Sequence, residues 1–143
     1  MDSTTRAVDP PRQLDPWERH VLEALLAVPF PGSEELKGQF DAVTVSEEYG
    51  EDDPSVIFSV ARHVALPAPV KSRIPVEAEG YDADGATIQI LLHVVDGWVW
   101  ELEVYRPDGE PVTCAPDARS LVLFSPGSHT QERDLPNRVL GTA

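Results

Sequence analysis

Glu101 and Glu103 alternate with apolar residues in the stretch Trp98-Val99-Trp100-Glu101-Leu102-Glu103-Val104-Tyr105, so on a strand their side chains project together. His93 lies in the preceding apolar run and, across a hairpin, comes diagonal to Glu101. Two carboxylates and an imidazole are a set able to do acid/base work, because like charges that close raise one carboxyl pKa and leave a proton donor near neutral pH. Alternating glutamates are also the ordinary solvated side of a half-buried strand, the commoner situation by far. Glu101, Glu103 and His93 are therefore candidates, and no residue is assigned a catalytic role.

The other reactive residues offer less. Trp98 and Trp100 have the form of a stacking platform, but their alternation with Leu102 and Val104 places them in the core. Asp82-Ala83-Asp84-Gly85 begins like a calcium loop yet runs straight into a strand without the further oxygen ligands, and so reads as a hairpin turn. His20, His63, His93 and His129 are scattered with no zinc spacing, Gly127-Ser128 lacks the nucleophile-elbow pattern, and no glycine-rich phosphate loop occurs. Cys114, the single cysteine, reads as a small buried apolar residue, and it permits no disulfide. Neither a metal nor a cofactor is expected, and the balance leans away from an enzyme.

Charge is more telling. The chain of 143 residues carries 25 Asp and Glu against 11 Lys and Arg, a net charge of −14, which opposes nucleic-acid backbones and anionic membranes. Residues 34–53 hold Glu34, Glu35, Asp41, Glu47, Glu48, Glu51, Asp52 and Asp53 against Lys37 alone. Residues 77–110 hold Glu77, Glu79, Asp82, Asp84, Asp96, Glu101, Glu103, Asp108 and Glu110 against Arg106 alone. Brought together, the two segments would make a negative patch that steers a basic protein and speeds its association by roughly 10–10³-fold. Glu47, Glu48, Glu51, Asp52 and Asp53 are the expected partner-binding residues. The opening MDSTTRAVDPPRQ has no apolar run of signal-peptide type, so a cytoplasmic protein is the expectation.

The elements that position these residues follow from capping and periodicity. Asp15, Pro16 and Glu18 form an N-cap, a first-turn proline and a capping box, and Trp17, Val21, Leu25 and Val28 make one stripe of a helix that Pro29 and Pro31 stop. Ser33 caps a second, shorter helix carrying Leu36 and Phe40. From residue 42 the period becomes two: Val43 and Val45, then Val56, Phe58 and Val60, then a short edge strand from Val76, then the hairpin Ile88–Val94 and Trp98–Val104 about Asp96-Gly97. A three-residue loop, Val95-Asp96-Gly97, sets Val94 opposite Trp98 and Leu92 opposite Trp100, gathering the apolar residues on one face. The turn Pro107-Asp108-Gly109 returns the chain toward Val112 and Cys114, and Leu121–Phe124 supplies a last strand. The expectation is an α+β domain over residues 14–124, with N-terminal helices packed on one face of an antiparallel β-meander. Residues 1–13 are expected as a flexible tail and 125–143 as a poorly ordered one.

The hairpin from Asp96-Gly97 through Leu102-Glu103-Val104-Tyr105 to Pro107-Asp108-Gly109, together with a helix like Trp17–Val28, resembles small uncharacterised bacterial proteins and, more loosely, immunity proteins of toxin systems. That resemblance implies inhibition by direct protein binding and carries over no site residue. Function is thus expected to be non-catalytic binding of a basic partner protein. A small-molecule or regulatory module using the hairpin's polar face is the alternative, and an unfamiliar hydrolase or isomerase the third reading.

Overall fold

The computed structural model describes residues 4–126. Helix α1 (Pro16–Leu26) starts as its sequence dictates: the Asp15 carboxylate accepts from the Glu18 backbone N–H at 2.8 Å, and Glu18 accepts from the Asp15 N–H at 2.9 Å. Its inward residues Val21, Leu22 and Leu25 are wholly buried, each worth about 1.5–3 kcal/mol. Helix α2 (Ser33–Lys37) is shorter than expected, because Gly38 ends it and Phe40 falls in a separate 3-10 turn. Gly32 is its cap in place of Ser33, whose hydroxyl instead accepts from the Phe30 N–H.

Among the described residues, seven strands form one antiparallel sheet: β1 (Arg6–Arg12), β2 (Val43–Glu48), β3 (Val56–Val60), β4 (Val76–Tyr81), β5 (Thr87–Val95), β6 (Trp98–Tyr105) and β7 (Val122–Phe124). Their spatial order, β1-β2-β3-β6-β5-β4-β7, joins two short meanders through β3 and β6. The chain is α+β with an open antiparallel sheet. Three expectations need correction here. The N-terminal segment is no tail: it pairs with β2 and is anchored by Arg12, which forks onto Glu18 at 2.9 and 3.0 Å and reaches Glu48 at 2.7 Å. Two prolines and the lack of alternation hid this strand, which is held by distant side chains rather than by its own pattern. The strand from Val76 is no edge, since β7 pairs outside it. Val112 and Cys114 form no strand, because the Thr113 and Cys114 backbones turn in to bind Asp82. Of the expected C-terminal tail, Ser125 is buried and donates to the Pro75 carbonyl at 2.8 Å, while residues 127–143 lie outside the described residues.

The hairpin register also differs. Asp96 and Gly97, at φ 53 and φ 85, make a two-residue turn that sets Val95 opposite Trp98 and Val94 opposite Val99. Trp100 is then bulged out, and the ladder resumes with His93 opposite Glu101, Leu92 opposite Leu102 and Ile90 opposite Val104. The apolar residues share a face after all, through a bulge within the strand instead of an extra residue in the loop. Val99 takes the core position expected for the tryptophans: Trp98 is buried outside the main core cluster, and Trp100 is 40% exposed.

That cluster joins Val21, Leu22, Leu25 and Leu36 of the helices to Val45, Val76, Ile88, Ile90, Leu92, Val99 and Leu102 of the sheet. Gly80 belongs to β4 because Pro116 and Leu121 lie against it, where a Cβ would meet their side chains at 2.8–2.9 Å. Gln39, with no exposed surface, satisfies three segments at once: it donates to the Leu66 and Gly97 carbonyls and accepts from the Val99 N–H. No helix among the described residues is long and apolar enough to cross a membrane.

Candidate functional site

Strand alternation puts a second set of side chains on the sheet face opposite the core. The pairings make cross-strand rows there: Glu77, Leu91 and Glu103; Glu79, Gln89 and Tyr105; His93, Glu101 and Ile57. All but Ile57 are partly or well exposed. Four glutamates from two strands thus converge, and Gln89 donates to Glu79 at 2.9 Å.

Two tyrosines join this group to the acidic turn between β2 and β3. Tyr49 donates its hydroxyl to Glu101 at 2.8 Å. Burial pushes its phenol above the ordinary range, and the hydrogen bond to Glu101 and the negative fields of Glu101, Asp53 and Glu103 push it further. Tyr105 is raised by burial and then by Glu103 and Glu77. The two acidic segments, distant in sequence, meet at Tyr49, and Tyr105 lines a hollow with Glu51, Asp52 and Asp53.

His93 does not bridge to Glu101, although the register sets the two opposite. Its Nε2 lies 2.7 Å from the diagonal Glu103 carboxylate, and its Nδ1 accepts from Arg73 Nε–H at 3.0 Å. With Arg73 donating to Nδ1, Nε2 is the nitrogen left to face the Glu103 carboxylate. Both ring nitrogens are engaged, and Glu101 is held by Tyr49, so the trio Glu101, Glu103 and His93 is brought to one face, with His93 paired to Glu103 instead of Glu101.

The five acidic residues expected to bind a partner divide. Glu48 bonds Arg12 and Arg6, with Arg12 holding its carboxyl below the usual range, and Glu47 accepts from the Thr5 hydroxyl. Asp53 accepts from the Ser55 N–H at 3.0 Å, whereas Glu51 and Asp52 stand exposed in the turn. Glu47 and Glu48 serve the β1–β2 junction.

A third carboxylate group escaped sequence reading. Asp82, 5% exposed, accepts from the Thr113 hydroxyl and N–H, the Cys114 and Ala83 N–H groups and Arg106. Arg106 also binds Asp84 and, through two nitrogens, Asp108. The Thr113 hydroxyl bond, then its backbone bond, together with Ala83 and Arg106, hold the Asp82 carboxyl well below the usual range against the cost of burial. The available signal was Arg106 itself, the one Arg or Lys among nine carboxylates in residues 77–110. Cys114, expected to be buried, is exposed because its backbone is drawn to Asp82. Among the described residues no group of His, Cys, Asp or Glu is placed to hold a metal ion.

Residues 11–116 match the model of a family described as a domain of unknown function, DUF6984. The chain belongs to this family. The match runs from the end of β1 past Cys114, so the DUF6984 domain contains both the acidic face and the Asp82–Arg106 knot. No curated protein and no solved structure matches the chain.

Proposed function

We propose that this DUF6984 domain is a non-catalytic binding domain whose acidic sheet face engages a basic partner protein, as a cytoplasmic immunity-type inhibitor does. One observation carries this reading: Tyr49 of the β2–β3 turn donates to Glu101 of the hairpin at 2.8 Å, while Tyr105 of the hairpin lines a hollow with Glu51, Asp52 and Asp53 of that turn. Tyrosine is among the residue types enriched at interface hot spots, and a surrounding negative field steers a basic partner. The binding surface is thereby shifted from Glu47 and Glu48 toward Glu77, Glu101, Glu103, Glu51 and Asp52.

The test uses the full chain as bait in host lysate at low and moderate salt, beside a Glu77→Gln/Glu101→Gln/Glu103→Gln variant. A basic protein held at low salt by the parent and lost from the variant is the expected result. Equal retention by both baits, or no retained protein, overturns the reading.

A second reading moves the small-molecule site from the hairpin's polar face to a cleft of about 500 Å³ lined by Phe30, Pro31, Val70, Lys71 and Pro75. It predicts a thermal shift with a metabolite panel that survives the triple variant and disappears on filling the cleft with Val70→Trp.

A further inference from the structure

The connection between β3 and β4, residues 61–75, carries three cations, and the two arginines are placed alike. The Arg62 guanidinium lies 4.7 Å from the centre of the Trp98 ring, and Arg73 donates to His93 Nδ1. Trp98 and His93 are on the same sheet face, Trp98 being opposite Val95 and His93 two residues before it. Lys71, from the same connection, lines the cleft beside Phe30 instead. The connection is tied down near the hairpin turn, where Ala68 N–H donates to the Gly97 carbonyl and Val94 N–H to Arg73 O. Neither Arg62 nor Arg73 has a carboxylate within ion-pair distance among the described residues, although Glu47 lines the same hollow as Arg62 and Glu103 lies on the other side of His93 from Arg73.

Resting on the basic-partner reading, we infer that the face selects arginine over lysine, and that guanidinium groups of an arginine-rich segment in the partner take over the seats now held by Arg62 and Arg73. The chemistry of those seats favours a guanidinium. A flat, weakly hydrated cation stacks on an indole face while its edge still donates hydrogen bonds, whereas an ammonium is a compact and strongly hydrated point charge. Tyr49, Tyr105 and the partly exposed Trp100 extend the same aromatic and acidic lining, and Glu101 and Glu103 supply the long-range attraction. The β3–β4 connection is then an internal competitor, occupying the surface until a multivalent arginine segment displaces its side chains.

The experiment titrates the full chain with octa-arginine and with octa-lysine, following tryptophan fluorescence and calorimetry. The parent is expected to bind octa-arginine about tenfold more tightly than octa-lysine. That ratio rises in an Arg62→Ala/Arg73→Ala variant, in which the seats are vacated. It falls toward one in His93→Gln and in Trp98→Leu, with His93→Gln keeping the test sound where the core-adjacent variant fails to fold. Equal affinities of the parent for the two peptides, or an unchanged ratio in every variant, overturn the arginine inference and leave the basic-partner reading standing. Failure of both peptides to bind overturns both.

Discussion

Two gatherings of carboxylates, aspartates about Arg106 and glutamates on the sheet face, are put to opposite use. Around Arg106, three aspartates close on one guanidinium, and Asp82 takes protein hydrogen bonds on both oxygens until it is almost wholly buried. On the sheet face, the glutamates meet a tyrosine hydroxyl, an amide and an imidazole, and remain partly exposed. The difference lies in the supply of donors. Where backbone N–H groups and a guanidinium satisfy every lone pair, acidic residues become structure; where they do not, negative field is left over for something outside.

The most forceful way to break this contrast is Asp82→Ala. It removes a carboxylate from the buried Arg106 and leaves four further donors without their acceptor, and should lower the unfolding midpoint by on the order of 10 °C, the largest effect among these carboxylates. A midpoint within about 2 °C of the parent would mean that the knot is decoration.

Acid should then separate the two groups. Asp82 and Asp108 are held below the carboxylate range by their donors, so each contributes stability that is complete above the unfolded value near 4 and is lost as pH falls toward its folded value. Unfolding midpoints measured from pH 7 downward should stay level to about pH 5 and decline below it, and Asp82→Asn should flatten that decline. An identical slope in the variant would assign the acid sensitivity elsewhere.

The smallest effect belongs to the face. Glu101→Gln with Glu103→Gln, the latter side chain 39% exposed, should move the midpoint by less than about 2 °C while abolishing partner retention. A large loss of stability would make the face a second structural knot and dissolve the contrast.

What could be read ahead of the structure was local. The cap at Asp15-Pro16 with Glu18, and the turn at Asp96-Gly97, each complete their signal within a few residues, and both formed where expected. So did the Asp82–Gly85 turn, with Gly85 at φ 88. Features completed over long distances were illegible. The first strand depends on Arg12 finding Glu18 and Glu48, and the Asp82 knot depends on Thr113, 31 positions away. For the site, alternation correctly put His93, Glu101 and Glu103 on one face, yet the imidazole's choice of Glu103 was set by a bulge that no composition rule announces. Burial of apolar residues could be achieved by a longer loop or by a bulged strand, and both solutions satisfy the same pattern.

That bulge has a consequence for editing the chain. With Trp100 excised, Val99 would run directly into Glu101, and the pairs Val95–Trp98, Val94–Val99, His93–Glu101 and Leu92–Leu102 would form one unbroken ladder with inward and outward residues still in phase. Trp100 is thus a supernumerary residue in an otherwise regular hairpin: a one-residue deletion, usually ruinous inside a strand, here leaves the parity of the sheet intact and takes away only the side chain held out to solvent.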